Sequence, residues 1–169
     1  MSASSRLFIG GFFHVECYDR SGKLKWESLA KNGVTTPGLN HILDVEFHGS
    51  AQSTTWYISL IDSSGYTGLD PTDTMGSHAG WAECTAYDEA TRPEWTEGAA
   101  AGGVITNATR VNFTMNATKT VKGAFLVDNS TRGGSTGNLF CTALFTGGDQ
   151  AVEDDDVLKV KYTLTATAA

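Results

Sequence analysis

The feature that most constrains this chain is its punctuation: short runs rich in Val, Ile, Phe, Tyr, Trp and Thr, each closed by a cluster of Gly, Asn, Asp or Ser. β-branched and aromatic side chains suit a pleated, half-buried surface, and the small polar residues between them suit tight reversals. Leu7 to Tyr18 reads as a first long strand, with Gly10-Gly11 allowing a bend. Asp19-Arg20-Ser21-Gly22 supplies a turn, and Lys23 to Glu27 alternates polar with apolar as a strand with one wet face does. Further strands are expected over 55–61, 80–87, 103–115, 120–127, 139–145 and 157–165, with Gly123 marking a bulge or close approach. About eight or nine strands spaced by turns predict an all-β fold, a β-sandwich or jelly-roll-like domain.

One helix interrupts the pattern. Thr36 is placed to cap it, Pro37 to occupy its first position and Gly49 to end it, so a helix is expected over about residues 37–48. Leu39, Ile42, Leu43 and Phe47 fall at helical spacing, and such a stripe is expected to face the core. Two loops stand out: Asp62 to Ala79, too long for a simple hairpin turn, and the glycine-rich stretch Asp128 to Gly137. With 169 residues the chain is expected to form one β domain, residues 1–169, with a flexible N-terminal arm at about residues 1–6.

Charge and cysteine content narrow the function. A net charge of −7 disfavours a phosphate backbone, so no nucleic-acid partner is expected. No run approaches a membrane span, and no basic start leads into an apolar stretch, so neither membrane nor leader is expected. Cys17, Cys84 and Cys141 form no C-x-x-C pair and read as buried free thiols of a reducing cytoplasm. The acceptor triplets at Asn107, Asn112, Asn116 and Asn129 are then incidental products of Thr-rich strands.

No arrangement spells a catalytic centre. Asp70, Asp73, Ser77 and His78 share one loop, but adjacent Ser and His seldom reach hydrogen-bond geometry, and no Gly-x-Ser-x-Gly elbow is present. The EF-hand spacing is missing around Asp62, Asp70 and Asp73, and His14, His41, His48 and His78 follow no zinc pattern. Glu153 to Asp156 reads as a solvated acidic turn. No catalytic residue, metal or cofactor is therefore expected. The residues expected to make contacts are Arg6, Asp70, Asp73, His78, Trp81 and Trp95, the two indoles being the first candidates for a carbohydrate platform.

The ordered set Lys25-Trp26, Asn32-Gly33-Val34, Gly38-Leu39-Asn40, Ile42-Leu43, Trp56 to Ile61, Asp73-Thr74-Met75, Ser77-His78, Gly80-Trp81 with Glu83, Arg92-Pro93 with Trp95, Gly123 to Leu126 and Gly137-Asn138-Leu139 resembles small virion proteins of tailed bacteriophages. The resemblance runs from about Lys23 to the C-terminal strand. It implies a capsid decoration or cement protein, made in the host cytoplasm and placed on the capsid surface. Its implied partners are the major capsid protein and further copies of itself, a trimer being favoured. A tail- or fibre-associated receptor-binding module is the alternative it leaves open.

Overall fold

A computed structural model describes residues 6–168, and over these the chain is mostly β with a single helix. Ten strands alternate in direction: β1 Leu7–Tyr18, β2 Leu24–Val34, β3 Tyr57–Asp62, β4 Ala82–Cys84, β5 Val104–Thr106, β6 Val111–Thr114, β7 Lys119–Val127, β8 Leu139–Leu144, β9 Gln150–Val152 and β10 Val157–Ala168. The helix α1 spans Thr36–Phe47. The strand path runs β4-β3-β7-β8-β2-β1-β10-β5, with β6 also on β10 and β9 also on β7.

The path folds on itself at β2. Leu24 to Lys31 pairs with β1, whereas Asn32 to Val34 pairs with β8. Where β2 leaves β1, the Gly11 N–H is met by the Asn32 side-chain oxygen instead of a strand carbonyl. The Asn32 amide nitrogen donates to the Tyr162 hydroxyl at 2.9 Å, so the corner is pinned inside the core. Gly11 has no alternative there, because a Cβ would strike the Thr163 carbonyl.

The result is a sandwich-like domain. Phe13, Val15 and Cys17 of β1 and Leu158, Val160 and Tyr162 of β10 meet Ile58, Leu60, Val121, Leu126 and Cys141 of the opposing strands. Tyr162 anchors this core, stacked on Phe13 at 4.3 Å and edge-on to Trp95 at 5.3 Å. The three cysteines are free and buried, as their spacing predicts.

Several boundaries move. β2 runs on to Val34 because the Asn32–Val34 segment finds β8. The stretch expected as one strand over 103–115 divides into β5 and β6. Between them Asn107 turns its side chain inward to bond Val160 O and Tyr162 N. β9 carries too few residues to show a period. The cap of α1 is Thr35, not Thr36: its hydroxyl accepts the Gly38 N–H at 3.0 Å and donates to Leu139 O at 2.5 Å.

The main correction concerns the helix stripe. Leu39, Leu43 and Phe47 are 41%, 55% and 80% exposed, so the expected core-facing stripe faces outward. The buried contact is made by Gly38 instead, seated so closely on the Phe140 carbonyl that a Cβ would collide with it. Gly38, Ile42 and Val45 recur at i, i+4 and i+7 and form the inner face, while Leu39, Leu43 and Phe47 recur at i, i+4 and i+8 on the outer. The helix is apolar on two sides, and the nearness of Gly38 to the sheet decides which turns in.

Candidate interaction surface

The long loop between β3 and β4 is not a free arm. Met75 and Trp81 pack with Ile61, Phe125, Val127 and Leu139, forming a second, smaller core on the outer side of the back strands. Of the expected contact residues, Asp70, Asp73, His78 and Trp81 are brought together here, but to hold the loop. Asp73 Oδ2 accepts from Trp81 Nε1 at 2.9 Å and from the Asp70 N–H at 3.0 Å. The His78 ring stacks on Trp81 at 4.1 Å, and its Nδ1 lies 2.9 Å from the Trp81 carbonyl oxygen. Asp70 closes its own turn by accepting the Thr72 N–H and hydroxyl, which lowers its pKa below the usual carboxylate range. His78 Nδ1 is thus engaged with backbone rather than with Ser77.

Trp81 and Trp95 are 4% and 3% exposed, so the carbohydrate platform expected of them has no face to offer. Trp95 is held at the back of the core, its Nε1 donating to Asn107 Oδ1 at 3.1 Å and Tyr162 O at 3.2 Å. Both indoles are too large and apolar to leave outside while smaller side chains fill the interior. Arg6 is exposed at the start of β1; the rest of the expected N-terminal arm, residues 1–5, lies outside the described residues.

Arg92, which drew notice in the sequence only beside Pro93 and Trp95, is fully buried. Its guanidinium donates to both oxygens of Glu83 at 2.9 and 2.8 Å and to the carbonyls of Asn129 and Gly134. Glu83 also accepts from Ser59 Oγ and Gly133 N. A bidentate pair with two further bonds to the carbonyls of Asn129 and Gly134 fastens the 128–137 loop to the body.

The acidic turn before β10 is solvated at Glu153, Asp154 and Asp155, as expected, and departs from that expectation at Asp156. Asp156 is buried and pairs with Lys25 at 2.6 Å, and its Oδ2 also accepts the Glu153 N–H. A second polar group lies on the outer face of β1 and β2, where His14 and Glu16 share one side of the strand and Glu27 stands opposite Glu16. Donor atoms of the three approach within 4.8 Å of one another. Arg110 already fills that space, donating to Glu16 at 2.8 Å and lying 3.1 Å from His14 Nδ1, so the group is an ion-pair cluster. A helical H-x-x-x-H pattern would not have revealed it, because a strand brings i and i+2 together instead.

Among the described residues, α1 carries three of the exposed large apolar side chains. Its outer ridge of Leu39, Leu43 and Phe47 meets solvent, and beneath its inner face opens a cleft of about 500 Å³. Strand lengths create this cleft. β1 and β10 have twelve residues each and β3 and β8 six, so the front strands overhang the back. The overhang exposes Leu164 and Ile105, and α1 spans it with Ile42 and Val45 above a floor that includes Trp56 and Phe140. Glu46 and Glu97 stand in the lining, which contains no Lys or Arg. His41 anchors the helix through Ser53 at 3.2 Å, and Ser53 donates on to Asp128 at 2.6 Å. The sequence showed Leu39, Ile42, Leu43 and Phe47 as one stripe; the signal for a cleft was that the helix is apolar on two faces in a small β domain.

No family model matches the chain, and no curated protein matches it as a relative. Among the described residues no helix is long and apolar enough to cross a membrane.

Proposed function

We propose that this protein is a non-catalytic assembly protein, a capsid decoration protein of a tailed bacteriophage that docks on the head lattice through the outer face of α1. The observation that carries the reading is the ridge of Leu39, Leu43 and Phe47, three large apolar side chains held outward on a helix that the fold fixes in place. Apolar side chains concentrated on one exposed element mark an interaction surface, whereas scattered ones do not. The ordered resemblance to small virion proteins supports the assignment to a capsid, with the major capsid protein as partner and further copies of this chain beside it. A lattice-specific binder stabilises the lattice by mass action, and repetition over many sites multiplies a modest single contact. The glycan-binding alternative loses its two indoles to the core and has no second observation in its favour.

Purified protein added to particles lacking it tests the reading. The wild-type chain should saturate the particles, and Leu43→Glu with Phe47→Glu should reduce occupancy at least tenfold while the unfolding midpoint stays where it was. Both side chains are solvent-exposed, so their replacement is expected to change stability by no more than about 0.5 kcal/mol. Unchanged occupancy of the double variant would remove α1 as the docking element.

A further inference from the structure

The cleft beneath α1 and the start of β1 are complementary in chemistry. The cleft is lined by apolar Ile42, Val45, Trp56, Ile105, Phe140 and Leu164, and its charged residues are the carboxylates Glu46 and Glu97. The start of β1 reads Arg6-Leu7-Phe8: one cation followed by two large apolar side chains, 67% and 53% exposed. Alternation along a strand sends Leu7 and Phe8 to opposite faces, so β1 alone cannot bury both. A cleft of about 500 Å³ is of the size that takes a few large apolar groups.

We propose that the cleft of one copy receives the Arg6-Leu7-Phe8 segment of a second copy, with Phe8 entering between Ile42 and Trp56 and Arg6 facing Glu46 and Glu97. The contact joins two different surfaces, so it is head-to-tail and propagates until rotation closes a ring. Pairing a cation with the acidic rim offsets at the contact the repulsion between chains that each carry −7. A partner bearing the same basic-apolar pattern would fit the cleft equally well. The second copy is favoured because its segment is already exposed on this chain. The contact forms in solution without any particle, so its failure leaves the docking face of α1 untouched, and the reverse also holds.

Three measurements on the full chain test it. By light scattering after size exclusion, the wild-type protein should show a mass that is a multiple of 18.0 kDa, and Phe8→Glu should return it to the single-chain mass. Arg6→Glu and Glu97→Arg should each weaken association at least tenfold, and the double exchange should restore it, an outcome that loss of folding cannot mimic. Copies carrying Phe8→Cys, mixed with copies carrying Gln52→Cys from the cleft lining, should form a disulfide between chains under mild oxidation. A single-chain mass for the wild type at about 100 μM would overturn the proposal. So would an oligomer that survives Phe8→Glu and yields no mixed disulfide, because association would then use another surface.

Discussion

Arg92 is the largest fully buried side chain among the described residues, and its charge is tolerable only because Glu83 and two backbone carbonyls surround it. Removing one member of a buried pair strands the other, so Arg92→Met should lower the free energy of unfolding by about 3–5 kcal/mol in a urea titration. A loss below 1 kcal/mol would mean that water reaches Glu83. The buried thiols make a second prediction. Burial, aided by the nearby Asp156 carboxylate, pushes Cys17 from its ordinary 9.0 up to about 12, and burial pushes Cys141 up to about 11. Above pH 9 the unfolded chain therefore releases thiol protons that the folded chain keeps, and stability falls as pH rises. Lys25, raised by its bond to Asp156, adds a loss of the same sign as it deprotonates. The thermal midpoint should thus decline steadily from pH 9 toward 12, and Cys17→Ala should flatten part of that slope. A flat alkaline profile in the wild type would contradict the buried, protonated thiols.

At the scale of elements, α1 is held chiefly at its beginning, by the Thr35 cap and by Gly38 against the Phe140 carbonyl. Gly38→Ala should force the first turn off the sheet and cost about 1–3 kcal/mol, as overpacking does. Hydrogen exchange should then show faster opening in 36–47 than in β1 or β7; unchanged protection would mean that the helix is held elsewhere. Strand content and the helix were legible from local pattern, since alternation, turn residues and a Pro near a helix start act over a few residues. The burial of Trp81 and Trp95 and the inward turn of Asp156 were not, because they depend on partners brought close only by the fold. The direction of α1 failed for a related reason. Leu39 and Leu43 outrank Gly38 in hydrophobicity, yet a glycine lets the helix backbone lie on β8, and closeness of backbones outweighed side-chain size. The long loop was visible as a loop, but its packing around Met75 and Trp81 rests on side chains of β7 and β8 far along the chain.

At the scale of the whole molecule, the unequal strand lengths, the overhang and the helix that spans it gather the exposed apolar side chains of α1 at one end of the sandwich. The polar faces elsewhere are occupied by ion pairs such as Arg110 with Glu16 and Lys25 with Asp156. Three large apolar side chains held outward on one fixed element are what the proposed docking role requires. For the proposed capsid role the most direct test is a cryo-electron microscopy map of phage particles to which the purified protein has been added. If the proposal holds, ordered density for the sandwich lies on the capsid surface, with α1 turned toward the major capsid protein and Leu39, Leu43 and Phe47 at the contact. Density confined to the tail, or a capsid-bound domain whose α1 faces solvent, would contradict it.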